Sequence, residues 1–205
     1  MLLPNKGVNI IVDKQPQVVG ILEKIFSKPG KVKHSNIHLL AILLSALYRY
    51  HSDFAVKVID NVIESVSFGL EQNDFGFNRR RIAEVKYLGE LYNYRMLEHP
   101  VIFDTMYKIM TFGHGGPPVP GRHNPFDLPD DFFRIRLIAT VLETCGMYFN
   151  RGSAGKKLDY FLSFFQVRPR STSPCRRQLN GRSITSTPRT LSQWTSNLPS
   201  RTSLP

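Results

Sequence analysis

Three carboxylates recur at helical spacing within residues 54–71. At 100° per residue, Asp60, Glu64 and Glu71 fall within about 40° of one another, and Ser67 lies beside them. Carboxylates aligned over about three turns of one helix could bind a basic protein surface. They could equally form a solvated outer face, which is the usual environment of such side chains. These three residues, called the acidic stripe below, are the first candidate site.

The opposite side of the same stretch is apolar, so the pattern predicts one amphipathic helix that buries one side and exposes the stripe. The apolar side consists of Val58, Ile59, Val62, Ile63, Val66 and Leu70. The stripe stands out because the chain as a whole is basic, with a formal net charge of +11 at pH 7.

Basic residues are the second candidate, for contacts to RNA phosphates. Arg79, Arg80 and Arg81 follow one another at a predicted helix start, where positive charge is unfavourable to the helix dipole. Lys156 and Lys157 form a second pair near another predicted helix start. Direct RNA binding by these residues is the alternative function, and solvated side chains are the simpler interpretation of the arginines.

The residue spacing argues against a metal-binding site and against a nucleotide-binding site. His34 and His38 are four residues apart, but Ser35 stands where the zinc motif HExxH carries its Glu, and no third ligand follows. A segment similar to a phosphate loop has Asn150 in place of the first Gly and Lys157 in place of the Ser or Thr. The sequence therefore predicts no metal, no cofactor and no enzymatic activity.

The positive charge is concentrated near the C-terminus. Residues 168–205 hold seven of the 27 basic residues and none of the 16 acidic residues, which leaves 20 basic against 16 acidic residues in 1–167. This segment is rich in Arg, Ser, Thr and Pro and cannot bury enough apolar surface to offset the entropy of ordering. We therefore predict a mildly basic globular part and a disordered tail, which could add to RNA binding.

The remaining composition favours a soluble protein of a reducing compartment. The two cysteines, Cys145 and Cys175, form neither a disulfide framework nor a metal-ligand pattern. The N-terminus lacks the apolar core of a secretory signal, and the longest apolar run, 39–48, is about half of a membrane span. The expected location is the cytoplasm, including the perinuclear region, with no membrane partner.

Hydrophobic periodicity predicts an all-α fold of antiparallel helical hairpins stacked as a HEAT-like solenoid. The hairpins begin near residues 36, 79 and 131, and the helix at 36–50 is apolar nearly all round, which predicts a position inside the core. The predicted helices are 18–26, 36–50, 54–71, 79–96, 100–112, 131–149 and 154–166, with a surface loop at 113–129. The predicted domains are a leader at 1–30 with a short helix, a helical-repeat domain at 31–167 and the tail at 168–205.

Three runs of the sequence resemble a known family. They are VIDNVIESVSFGLE (58–71), RRRIAEVKYLGELYNYRMLEHPVIF (79–103) and DDFFRIRLIATVLETCGMYFNRGSAGKKLDYFLSFFQ (130–166). They are similar to the third middle-of-initiation-factor-four-G domain of the up-frameshift-two proteins of nonsense-mediated mRNA decay. The resemblance covers residues 31–166 and implies antiparallel helix pairs without catalytic activity.

The resemblance also implies a partner. In that family the domain docks the RNA-recognition-type domain of up-frameshift-three proteins, and the acidic contact positions correspond to Asp60, Glu64 and Glu71. Ser65 stands where the family often has a further acid. The chain therefore resembles a scaffold or adaptor module of mRNA surveillance.

Two departures from the family pattern affect this interpretation. After Val167 the family continues with aromatic helical sequence, whereas this chain turns to Arg, Ser and Pro, which implies that the last helices of the domain are missing. The neighbouring domains that would bind the helicase and other decay factors are also absent. We therefore expect this chain to bind one partner and not to bridge two.

Overall fold

The structure, a computed structural model, describes residues 16–115, 124–127, 131–149 and 152–171, with side chains from 18 to 165 within these ranges. Every regular element in this part of the chain is helical, which confirms the predicted all-α fold class. None of the helices described is long and apolar enough to cross a bilayer. The α-helices are α1 (Pro16–Phe26), α2 (Ile37–Tyr48), α3 (Ser52–Gln72), α4 (Asn78–Asn93), α5 (His99–Thr111), α6 (Phe133–Cys145) and α7 (Gly152–Ser171). Short 3-10 turns lie at Pro29–Lys31, His34–Asn36, Phe75–Phe77 and Gly146–Phe149.

The helices pack in two layers. α2, α4 and α6 lie side by side in one layer, with α4 at the centre, and α3, α5 and α7 form the other. α1 packs against α3, where the rings of Phe26 and Phe54 meet edge to face at 6.0 Å. This arrangement confirms the HEAT-like stacking of hairpins, in which each helix pair buries its apolar side against the next.

The helix that carries the acidic stripe is the best-patterned element of the fold. The buried residues of α3 are Phe54, Ala55, Val58, Ile59, Val62, Val66 and Leu70, while Ile63 is half-buried. α3 ends at Asn73, whose left-handed conformation (φ 42°) lets its N–H donate to the carbonyl of Gly69. The stripe is therefore displayed on a rigid helix that packs along its whole opposite side.

The prediction that the second helix is wholly buried is wrong for one side of it. α2 buries Ile37, Leu40, Ala41, Leu44 and Leu47, as expected for a core helix. Leu39, Ile42 and Leu43 are exposed by 47%, 39% and 45%. The reason is that α2 is the first helix of its layer, so α4 and α3 cover one side only.

The central helix approaches α6 closely at a glycine. A Cβ placed on Gly89 would lie 3.0 Å from the side chain of Thr144, so any larger residue would push the two helices apart. The Asn93 side chain donates to the carbonyl of Thr144 at 3.0 Å and fixes the same contact. Neighbouring Cys145 is fully buried, and burial raises the pKa of its thiol to about 12. The thiol is therefore a packing group and not a nucleophile.

A buried polar cluster joins residues 124–127 to the helices around them. The Arg134 guanidinium donates from Nε to Asp127 Oδ1 at 2.9 Å and from Nη1 to the carbonyls of Ile109 and Phe112 at 3.0 and 2.8 Å. Its Nη2 lies 2.8 Å from the same Asp127 oxygen as an ion pair. The Asn73 side chain donates to Asp127 Oδ1 at 3.4 Å. Both members of the ion pair are nearly enclosed, with side chains 5% and 12% exposed. Where α3 leads into α4 and α5 leads into α6, the helices are therefore held together by polar contacts of this cluster and not by apolar packing.

Several element boundaries differ from those predicted. α6 ends at Cys145, and residues 146–149 form a 3-10 turn where helix was expected. α7 continues to Ser171, so residues 168–171, predicted as tail, are helical. The rest of the predicted tail (172–205), most of the predicted loop at 113–129 and the first fifteen residues lie outside the described residues.

Candidate functional site

The acidic stripe is exposed along its length. Asp60, Glu64 and Glu71 all lie on the solvent side of α3 and span about 16 Å at 1.5 Å per residue. Within the described residues, no Lys, Arg or His pairs with any of the three carboxylates. The stripe therefore presents three exposed carboxylates, without an ion pair in the described part of the chain, on a fixed backbone.

One lysine from another helix reaches the middle of the stripe. Lys108 of α5 donates from Nζ to Ser67 Oγ at 2.7 Å, and Ser67 in turn donates to the carbonyl of Ile63. Ser67 lies between Glu64 and Glu71 on the helix surface, so one positive charge sits between these two carboxylates. Periodicity could not reveal this lysine, because it comes from a helix 41 residues away in sequence.

The N-terminal end of the stripe is braced by α1. Glu23 accepts a charged hydrogen bond from Lys57 at 2.9 Å, and this bond is the main reason that the pKa of Glu23 is lowered. The Asn61 side chain donates to Glu23 Oε1 at 3.1 Å and to Ser27 Oγ at 3.3 Å. These contacts hold α1 beside Asp60, which is one position before Asn61.

A groove of about 340 Å³ opens along the side of the stripe, between α1, α3 and the first turn of α4. Glu64 therefore belongs both to the stripe and to the rim of this groove. Other lining residues include Glu23, Lys24, Asn61, Phe68 and Arg80. Sequence reasoning missed this groove, because its walls come from three separate helices.

The wall formed by α4 is organised around a buried carboxylate. Glu84, 2% exposed, accepts from Arg80 Nε at 2.8 Å and from Ser65 Oγ at 2.6 Å. Arg80 Nη2 also donates to Ser65 Oγ at 2.8 Å. Ser65, which stands where the resemblance implies a further acid, is thus a half-buried member of this network and lines the groove.

The arginine triplet is divided among three environments. Arg79 is exposed, Arg80 is held by Glu84, and Arg81 is 4% exposed. Arg81 donates to Asn73 Oδ1 at 3.0 Å, and its guanidinium lies 4.6 Å from the centre of the Phe133 ring. Burial is the main cause that lowers its pKa. Arg81 therefore stabilises helix packing and is unsuited to the RNA contact considered for it, whereas Arg79 stays available.

Further basic residues, from the connector between α1 and α2 and from α4 itself, gather near Arg79. The turn Pro29–Lys31 packs on the start of α4 so closely that a Cβ on Gly30 would lie 2.9 Å from Arg80 Cγ. Further along, Lys86 donates to the carbonyl of His34 at 3.1 Å, with Nζ also 3.3 Å from the ring Nδ1. The connector between α1 and α2 is thereby fixed across the outer side of α4.

These contacts assemble a basic surface, called the connector patch, from Lys31, Lys33, His34, Arg79 and Lys86. The pKa of His34 is lowered by partial burial and, to a lesser extent, by the charges of Lys86 and Arg79. This effect of the two charges is consistent with their position close to His34. Lys156 and Lys157, the other predicted basic pair, are exposed near the start of α7. They belong to the last helix of the stack and not to the connector patch.

No metal site accompanies these surfaces. Among the described residues, no three His, Cys, Asp or Glu side chains are arranged to hold a metal ion. His34 is bound to Lys86, which would repel a cation at its ring.

Comparison with known proteins places these features in a family context. A model of the MIF4G domain family matches residues 13–202, a longer range than the 31–166 over which the sequence runs are similar. Regulator of nonsense transcripts UPF2 of Arabidopsis thaliana is 46% identical over 143 residues, which cover 70% of this chain and 12% of that protein.

Two further relatives show the same partial overlap. Regulator of nonsense transcripts 2 of Homo sapiens is 48% identical over 135 residues, 66% of this chain and 10% of that protein. Nonsense-mediated mRNA decay protein 2 of Saccharomyces cerevisiae is 42% identical over 149 residues, 71% of this chain and 13% of that protein. The chain thus spans about one eighth or less of the length of these relatives.

Proposed function

Because the chain belongs to the MIF4G domain family, we propose that it is a non-catalytic binding module of nonsense-mediated mRNA decay. Its proposed partner is the RNA-recognition-type domain of an up-frameshift-three protein, which docks on the acidic stripe. Two relatives carry the regulation of nonsense transcripts in their names, and a third carries nonsense-mediated mRNA decay. These similarities support the pathway, and the stripe itself supports the mode of binding.

The observation that carries this proposal is the exposure of three carboxylates without a cationic partner among the described residues. Asp60, Glu64 and Glu71 form no ion pair among the described residues, and the nearby Lys108 is hydrogen-bonded to Ser67, so a basic protein can pair with the carboxylates without breaking ion pairs. Their fixed spacing on one packed helix favours one docking register. Charge complementarity of this kind raises the association rate and disfavours acidic competitors.

The proposal is tested by the salt dependence of binding to that partner domain. We expect the triple variant Asp60→Asn, Glu64→Gln, Glu71→Gln to associate at least about tenfold more slowly at low ionic strength, because electrostatic steering is removed. The difference should shrink at high salt, where exposed charges are screened. Stopped-flow kinetics at several salt concentrations would measure both effects.

A matched control is the neutralisation of an acid elsewhere, Glu143→Gln on α6, which is exposed. It removes one negative charge without touching the stripe and should retain the association rate. A triple variant that associates as fast as the native chain at every salt concentration would exclude the stripe as the docking surface.

A second candidate function, direct RNA binding, is favoured by the connector patch. Residues 24–52 contain no Asp or Glu, so the connector has no acid of its own. In the described structure Lys31, Lys33 and Arg79 form no ion pair, and nearby Glu84 is occupied by Arg80. Unpaired cations on a fixed surface suit phosphate contacts, whose affinity falls steeply with salt.

The RNA function is tested by fluorescence anisotropy with a single-stranded RNA oligonucleotide over a salt series. The variant Lys31→Gln, Lys33→Gln, Arg79→Gln should reduce the slope of log affinity against log salt by about 2, since each lost contact removes about 0.7. The comparison variants are Lys156→Gln with Lys157→Gln, and the chain without residues 172–205. Binding that disappears only with the C-terminal residues would assign RNA affinity to them and not to the patch.

A further inference from the structure

The groove beside the acidic stripe contains an exposed aromatic side chain. Phe68 follows Glu64 by one turn of α3 and lines the groove, and 48% of its surface is exposed. On the helix it is rotated by about 40° from Glu64, towards α1 and α4 and away from Lys108. Aromatic side chains are enriched in the cores of protein interfaces.

The opposite wall of the groove carries positive charge. Lys24, Lys28 and Arg80 line it, and their alkyl stems add apolar surface beside the Phe68 ring. Arg80 is held in place by Glu84 and Ser65, so this wall is formed before any partner arrives. Phe68 therefore lies between a negative stripe on one side and a positive wall on the other.

This distribution of charge restricts what can enter. A Lys or Arg side chain would be attracted to Glu64 at the rim but would also meet Lys24, Lys28 and Arg80, whose positive charge is only partly offset by Glu23 and Glu84. A carboxylate would be repelled at the stripe. An apolar side chain avoids both penalties and can cover the exposed face of Phe68. The volume of about 340 Å³ is large enough for one such side chain.

We propose that Phe68 and this groove form the apolar anchor of the docking surface. The partner inserts one aromatic or aliphatic side chain against Phe68, while its neighbouring cations pair with Glu64 and Asp60. The occupant is thus the same basic partner domain, so this inference rests on the proposed function. The stripe supplies attraction over distance, and the anchor supplies the contact that slows dissociation.

The experiment measures association and dissociation of the full chain with the RNA-recognition-type domain of an up-frameshift-three protein at low and high salt. Phe68→Ala should raise the dissociation rate about tenfold or more, by the same factor at both salt concentrations. Phe68→Leu should retain most of the affinity. Tyr160→Ala is the matched control, because it removes an exposed aromatic ring (74% exposed) from α7.

The outcomes separate the anchor from the stripe. If the stripe variants weaken binding and Phe68→Ala does not, the anchor is excluded and the proposed function stands. If neither set of variants changes binding, the proposed function fails, and the anchor with it. A Phe68→Ala effect that disappears at high salt would also overturn the anchor, since an apolar contact is not screened by ions. Circular dichroism of each variant confirms that this exposed residue leaves the fold intact.

Discussion

Reversing the charge of Glu64 is expected to reduce binding of the up-frameshift-three domain by at least about 100-fold. Glu64 is the central stripe residue and also forms the rim of the groove, so a partner cation placed there would meet a like charge in Glu64→Arg. If docking buries Glu64 in a hydrogen-bonded charge pair, removing one member of that pair costs about 2–5 kcal/mol, and charge reversal adds repulsion. Isothermal titration calorimetry would measure the loss.

The fold should be unaffected by this change. Glu64 is exposed, and Glu and Arg have similar helix propensities, so the free energy of unfolding should shift by less than about 0.5 kcal/mol. Glu143→Arg on α6 changes net charge by the same amount and should bind normally. A partner variant with Glu in place of the facing Lys or Arg should recover part of the affinity of Glu64→Arg. Equal binding by Glu64→Arg and the native chain would remove Glu64 from the docking surface.

Removing the carboxylate of Asp127 is expected to be the most destabilising change in the polar cluster. Asp127 forms an ion pair with buried Arg134 and accepts one hydrogen bond from it, and it accepts one each from the side chains of Asn73 and Asn124. In Asp127→Ala the Arg134 charge stays buried, and nearby Arg81 loses one of the three carboxylates that offset its charge, while Asp131 and Glu84 remain. Leaving a buried charge without its partner costs about 3–5 kcal/mol, so urea denaturation should show a loss of that size.

A surface ion pair provides the comparison for this second variant. Glu23→Gln breaks the bond to Lys57, whose side chain is 64% exposed, and should cost less than about 1 kcal/mol. Asp127→Asn should fall between the two, since it keeps an acceptor for Arg134 but loses the charge. A loss for Asp127→Ala no greater than that for Glu23→Gln would contradict the assignment of this cluster as a buried corner of the fold.

Local pattern predicted the elements but not their ends. The apolar period of three and four residues located the seven α-helices of the described residues, because each helix must bury one side wherever its neighbours lie. The last turns were less predictable: α6 stops at Cys145 although residues 146–149 are as apolar as those before them. There the chain tightens into a 3-10 turn that carries Phe149 to the rings of Tyr92 and Phe103, each 5.0 Å away. The residue at which α6 ends therefore depends on aromatic side chains that are distant in the sequence.

For the charged residues as well, the local pattern predicted some features, and others depended on tertiary contacts. Periodicity alone placed Asp60, Glu64 and Glu71 on one side of α3, since that face follows from the helical repeat. It could not distinguish Arg79, which is exposed, from Arg81, which is buried between Asn73 and Phe133. The difference arises because α6 packs on α4 and supplies an aromatic ring to one arginine of the three.

The sequence by itself thus determined that this protein is a stack of amphipathic helices, that one helix carries an acidic face, and that it resembles a family of mRNA-surveillance domains. Only the tertiary structure decided what borders that face: Lys108 from α5, Glu23 from α1, and the groove with Phe68 and Arg80. The physical reason is the distance along the chain between the residues that interact. A helix face is set by dihedral angles repeated within a few residues, whereas a surface is set by which helices come to lie next to one another.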